Sequence, residues 1–225
     1  MIRIAAIGCI HNDIENLPAL LDKLFSHHPK ILISVGDITD SSLPKGFSPI
    51  DIGKIFIEEV RYYTQNLLIV PGSWDKSLID LIDKENVSLH GKGKIIDNIG
   101  FYGFGGAKTP FNTPFEPEEN EIEEGLKNAY EHIKNTEIKI QATHAPPFQT
   151  TLDIVGNKHV GSLAVRKIIE NFKPRIAVCS HIHESAGKDS INSTVVINVG
   201  KFVEGHTAII DIKNESIEVE IINLI

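Results

Sequence analysis

Short apolar runs, mostly β-branched, recur along the chain: Ile2 to Ile7, Ile31 to Val35, Leu67 to Val70, Ile138 to Thr143 and Ile176 to Cys179. Such runs predict strands buried on both faces. Between several of them the apolar spacing changes to that of a helix. Leu17, Leu20, Leu21, Leu24 and Phe25 fall at i, i+3, i+4, i+7 and i+8, and Ile52, Ile55, Phe56, Val60 and Tyr63 nearly repeat that stripe. Leu163, Val165, Ile168, Ile169 and Phe172 predict another helix, closed at Lys173-Pro174 because proline cannot continue it. Strand, helix and strand in alternation imply an α/β domain with a parallel or mixed sheet.

The last portion has a different rhythm. Thr194 to Asn198, His206 to Asp211 and Ser216 to Ile222 follow one another across short polar turns and predict a strand meander. Val87 to Leu89, Lys94 to Ile96 and Phe101 to Phe104 form a second helix-free run in mid-chain. Two sheets packed face to face with helices outside are therefore expected. No repeat or low-complexity linker interrupts the chain, so residues 1–225 read as a single domain.

Composition narrows the function classes. With 225 residues, 41% hydrophobic and 23% charged, the chain can bury one sizeable core. A formal charge of -8 argues against a stable nucleic-acid partner or an anionic membrane, both of which need a Lys/Arg excess on some face. The two cysteines, Cys9 and Cys179, read as free thiols in a reducing cytoplasm. The apolar start, Met1 to Ile10, reads as a first strand: it has one early Arg and no small-residue cleavage site. Glu116 to Glu124, rich in Glu and free of Lys and Arg, reads as the solvated start of a helix from Ile122 to Lys134. Ten His residues are the unusual entry in an otherwise average composition.

In α/β sheets, chemistry gathers beyond the carboxyl ends of the strands. The first strand is followed by Gly8-Cys9-Ile10-His11-Asn12, the second by Gly36-Asp37-Ile38-Thr39-Asp40 and the third by Pro71-Gly72-Ser73-Trp74-Asp75. Later strands end in Thr143-His144-Ala145-Pro146-Pro147 and Ser180-His181-Ile182-His183. Four His residues, Asp37 and Cys9 thus stand at strand-to-loop junctions. Neutral imidazoles with a carboxylate make a transition-metal site, and a bridging carboxylate allows two ions to act together. His27, His28, His90, His132 and His206 read as structural, and His159 stands apart in the loop before the last long helix.

This ordered series resembles the calcineurin-like metallophosphoesterases, whose motifs run D-x-H, G-D-x-x-D, G-N-H-D, a single H before small or Pro residues, and G-H-x-H. The resemblance extends from residue 1 to about residue 211, and Asn198-Val199-Gly200 resembles the family's N-P-G segment. It implies a four-layer α/β/β/α sandwich, two mixed sheets flanked by helices, around a dinuclear centre of Mn, Fe or Zn. It further implies that His11 and His183 bind one divalent ion, that His144 and His181 bind the other, and that Asp37 bridges both. Asp40 and Asp75 take supporting positions behind the ligands. Asn12, read as a helix N-cap with Glu15 three residues on, places a helix N-terminus near the phosphate. The implied reaction is in-line attack of a metal-bound hydroxide on a small phosphate mono- or diester.

Three positions depart from the family pattern. Cys9 stands at the Asp of D-x-H, and Ser73 and Trp74 stand at the Asn and His of G-N-H-D. Cys9 can ligate as a thiolate, whose softness favours zinc or iron over magnesium. Ser73 offers a neutral hydroxyl. Asp37, His144 and Trp74 occupy the family's catalytic positions, although an indole only donates hydrogen bonds. The alternative expectation is a catalytically degenerate sandwich that binds a ligand or a protein partner. The loop from Gly105 to Glu121, with Phe111 and Phe115, reads as a lid over the site or as the contact of a homo-oligomer.

Overall fold

The computed structural model describes residues 1–213 and 216–225. In chain order the elements begin β1 (Ile2–Ile7), α1 (Leu17–Phe25), β2 (Ile31–Ser34), α2 (Pro49–Tyr63), β3 (Leu67–Ile69), α3 (Ile79–Lys84), β4 (Lys92–Ile96) and β5 (Ile99–Phe104). They continue α4 (Glu119–Glu131), β6 (Ile138–Thr143), β7 (Ile154–Val155), β8 (Lys158–His159), α5 (Leu163–Phe172), β9 (Ile176–Cys179), β10 (Gly187–Ile191), β11 (Thr194–Asn198), β12 (His206–Lys213) and β13 (Ser216–Asn223). One sheet has the order β13-β12-β1-β2-β3, the other β10-β11-β9-β6-β5-β4. In the first sheet β1, β2 and β3 are parallel and β12 and β13 add antiparallel on one side, whereas in the second the parallel strands β11, β9, β6 and β5 are flanked by antiparallel β10 and β4, so both sheets are mixed.

Strand alternation decides which side chains fill which layer. In β1, Ala5 and Ile7 pack with Leu21 and Leu24 of α1 and Phe56 of α2. Ile4 and Ala6 face the other way, into a core shared with Phe101, Ile140 and Val178 of the second sheet. On that sheet's outer face, Tyr102, Ala177 and Val196 lie under Leu126 of α4 and Val165 of α5. Three stacked cores define four layers, α/β/β/α, as expected.

Some elements differ from the reading of the sequence. The C-terminal meander does not form, because β11 pairs with β9 and β10 in the second sheet while β12 pairs with β1 and β13 in the first. The segment between β11 and β12 crosses from one sheet to the other, which local patterning does not report. Val87 to Leu89 is no strand; Ser88 and His90 form isolated bridges. The helix expected over Ile122 to Lys134 starts earlier, at Glu119, because Glu118 and Glu121 close a capping box there. Asn12 is not an N-cap: α1 begins at Leu17 after Asn16, since Pro18 suits a first helical turn, and Asn12 lies in the preceding turn.

The topology brings the carboxyl ends of β1, β2 and β3 from one sheet, and of β6 and β9 from the other, to the same rim of the sandwich.

Candidate metal centre

The loops at this rim are tied by backbone hydrogen bonds. Cys9 N–H donates to Gly36 O at 2.8 Å, and Ile10 and His11 N–H both donate to Asp37 O at 2.8 and 2.9 Å. Cys9, His11, Asn12, Asp37 and His181 all lie in the left-handed region, with φ between 49° and 72°. The β2 and β3 loops touch so closely that a Cβ on Gly72 would lie 2.0 Å from Asp37 N and 2.2 Å from its Oδ1. Only glycine permits that approach.

Two groups of candidate ligands converge: Asp37 with His144 and His181, and Cys9 with His11 and His183. In the first, His144 Nε2 lies 3.2 Å from Asp37 Oδ2 and 3.2 Å from His181 Nδ1. His144 Nδ1 donates to Val35 O at 2.7 Å, and His181 Nε2 donates to Lys108 O at 3.3 Å. These outer bonds turn the remaining nitrogens toward the carboxylate. Burial alone would raise the Asp37 carboxyl, but the charge and hydrogen bond of His144 hold it far below the usual carboxylate range. The same pairing lifts His144 above its ordinary value against the effect of burial. Burial, reinforced by His144, lowers His181 to about 4, so its imidazole is neutral at neutral pH. A proton on His144 Nε2 can serve only one of its two neighbours, whereas a divalent cation satisfies all three groups. The donor set fits such an ion.

In the second group, Nε2 of His11 and Nε2 of His183 stand 3.5 Å apart. Asp40 Oδ2 lies 3.1 Å from His11 Nδ1, on the far side of that ring. His183 is lowered to about 4, by burial first and then by His11, and is therefore a neutral donor. Cys9 is fully buried with Sγ 3.1 Å from Ser180 Oγ, whose own proton goes to Gly200 O at 2.8 Å. Burial, with the charge of Asp37, pushes the thiol up, so an ion would have to displace its proton.

The supporting residues have distinct tasks. Asp75, fully buried, accepts from Ile38 N, Thr39 N, Thr39 Oγ1 and Gly72 N at 2.7–3.1 Å, clamping the β2 loop to the β3 loop. Asn12 donates to the Asp40 and Ser42 carbonyls and accepts from Asp40 N, which joins the β1 and β2 loops. Trp74 N–H donates to Asp37 Oδ1 at 3.0 Å, leaving Oδ2 to face His144. Ser73 Oγ is buried without a hydrogen-bond partner among the described residues and lines the same cavity as Asp37. An orphaned buried hydroxyl there leaves an oxygen with no partner supplied by the described residues.

Sequence reasoning missed the contributors that act through carbonyls or tertiary partners, Val35, Lys108, Ser180 and Asp153. The carbonyl of Lys108 orients His181, and nothing in a lysine codon position signals a main-chain contact. Asp153, wholly buried, accepts from Gln149 N, Thr150 N and Gly161 N and from His159 Nδ1 at 2.7–3.1 Å. It fixes the β7–β8 hairpin beside the site and accounts for His159. The Gly105 to Glu121 loop is anchored rather than loose: Phe115 N donates to Ser73 O, Glu116 gathers Thr109 and Thr113, and Phe111 lines the cavity. The acidic run is absorbed locally, by capping of α4, by Lys108, Lys127 and Lys167, and by Glu119 accepting from Ala164 N.

With this geometry in view, residues 103–222 match a family described as metallophosphoesterase, calcineurin superfamily. The chain belongs to that superfamily. It is 38% identical to the uncharacterized protein MJ1162 of Methanocaldococcus jannaschii over 203 residues, 87% of each chain. Among solved structures, TT1561 of Thermus thermophilus superposes with a TM-score of 0.69 at 19% identity, covering 99% of this chain and 98% of that one. A dimetal phosphatase from Danio rerio also gives 0.69, at 10% identity, covering 100% and 96%. These likenesses show the fold. No helix among the described residues is long and apolar enough to cross a membrane.

Proposed function

We propose that the chain is a metal-dependent phosphoesterase hydrolysing a phosphate mono- or diester at this rim. The observation that carries the reading is the convergence of His144 Nε2, His181 Nδ1 and Asp37 Oδ2, with a second donor group of Cys9, His11 and His183 beside it. His144, His181 and Ser73 would hold one ion, His11, His183 and Cys9 the other, and Asp37 both. The ions would supply Lewis-acid activation of water and charge neutralisation at phosphorus. In the net reaction water adds to phosphorus, the P–O ester bond breaks, and an alcohol leaves with the proton that water gave up. Val35 O and Lys108 O hold the two imidazoles in orientation, and the Trp74 N–H holds Asp37. Trp74 itself can donate a hydrogen bond to a substrate oxygen but cannot transfer a proton. The Danio rerio dimetal phosphatase shares the fold and supports this reading.

The test is metal analysis after Mn or Zn loading, joined to hydrolysis of an aryl phosphodiester. About two ions per chain and a rate that falls at least about 100-fold in Asp37→Asn are expected. Less than about one ion per chain, or a rate unchanged in Asp37→Asn, removes the reading. A second reading, a sandwich kept for binding without turnover, draws on the protonated Cys9 thiol; metal-loaded protein inert toward every ester offered would favour it.

A further inference from the structure

The cavity that opens from the ligand cluster holds about 610 Å³, within the range of small-molecule sites. Its floor is His11, Asp37, His181 and His183; its outer walls are of a different character. Pro110 and Phe111 come from the anchored loop, Val155 and Val160 from the β7–β8 hairpin, with Trp74 and Ile182 between floor and wall. Phe111 is 77% exposed, Val155 41% and Val160 44%, a concentration of apolar surface facing water at one place. Both segments are held. Glu116 ties Thr109 to Thr113, and Asp153 ties Gln149, Thr150, His159 and Gly161, so the walls are pre-formed.

Charge points the same way. Among the described residues Lys108 is the one lysine or arginine on the wall, and its ammonium is paired with Glu118. Glu184 adds a carboxylate. Among the described residues of this lining, a second phosphate or another anionic group would find no free cation, whereas an apolar group would find Phe111 and two valines.

We infer that the site takes phosphate esters whose organic group next to the phosphate is apolar, seated against Phe111, Val155 and Val160, and that this wall sets its selectivity. The inference rests on the phosphoesterase reading. Trp74 is the only tryptophan in the chain and lines the cavity, so its fluorescence reports occupancy without turnover. Mn-loaded protein is titrated with methylphosphonate, n-hexylphosphonate and phenylphosphonate, which carry equal charge and resist hydrolysis. The expected result is that the phenyl or hexyl compound binds at least about tenfold tighter than the methyl one. In Phe111→Ser/Val160→Ser that ratio falls to about twofold or less, and Val155→Ser gives an intermediate value. Preference for phenyl alone identifies an aromatic group, and preference for hexyl as well identifies an aliphatic chain; both support the inference. Equal binding of all three, or a ratio that survives the wall substitutions, overturns it and leaves the phosphoesterase reading standing. No binding of any phosphonate overturns it too. Aryl phosphodiester hydrolysis then separates the two readings: if present, only the wall is wrong, and if absent, both fall.

Discussion

His144 and His181 point ring nitrogens at each other across 3.2 Å, while their other nitrogens are engaged by the carbonyls of Val35 and Lys108. Two imidazoles so constrained and backed by Asp37 would be stabilised together by a cation. Mn or Zn at about 100 times its dissociation constant should add about 2.7 kcal/mol to stability. For a chain of this size that is roughly 5–10 °C in Tm, read by calorimetry. His181→Ala should lose most of the gain; a gain that persists in full would place the ion elsewhere.

Cys9 brings a soft donor to the other group. Replacing it by a carboxylate in Cys9→Asp should move metal preference from Zn toward Mn. Titration calorimetry should show the ratio of Zn to Mn affinity falling by at least about tenfold, because thiolate favours the softer ion. A ratio unchanged by the substitution would mean that Sγ does not ligate.

His90 provides a pH dependence separate from the ligands. Its Nδ1 accepts from Gly105 N–H at 3.1 Å, and its ring packs on Phe104 and Phe115, which anchors the start of the loop carrying Phe111. Burial lowers it from 6.5 to about 4. The unfolded chain therefore takes the proton first, and stability falls as pH drops from about 6.5 toward 4. His90→Gln keeps an acceptor that does not titrate. Urea unfolding at pH 7 and pH 5 should show a smaller loss in the variant; an equal loss would deny His90 this role.

Asp153 holds the hairpin by accepting three backbone N–H groups and His159. Asp153→Ala leaves those donors unpaired at a fully buried position and should cost about 3–5 kcal/mol. Hydrogen exchange should rise over residues 154–161 before it rises in α5. Uniform exchange across both would show that the carboxylate supports the whole layer rather than the hairpin.

The layers were legible in the sequence because β2 and β9 are buried throughout and β1 and β6 over their last four residues, so these runs are dominated by Ile, Leu, Val and Ala. It concealed β10, whose Gly-Lys-Asp-Ser-Ile run lies at a sheet edge with two partly exposed and two exposed positions. The two-residue strands β7 and β8 are too short to carry a period. His and Asp at strand ends announced the candidate centre, since its donors all stand within four residues of the ends of β1, β2, β6 and β9. What aims them did not show: Val35 and Lys108 act through carbonyls, and Ser180 and Asp153 through partners chosen by the tertiary fold.

Five residues of the rim, Cys9, His11, Asn12, Asp37 and His181, have left-handed backbone, a conformation that costs most L-residues roughly 1–2 kcal/mol each. Two demands therefore meet at every such position. Glycine would relax the backbone and delete the donor atom; a branched aliphatic residue would fail on both counts. Permitted change is confined to short unbranched polar side chains, among them Asp, Asn, Ser, Cys and His. The cysteine that distinguishes this chain at position 9 stays inside that small alphabet, whereas Ser73 and Trp74, which are not left-handed, lie outside the reach of this constraint.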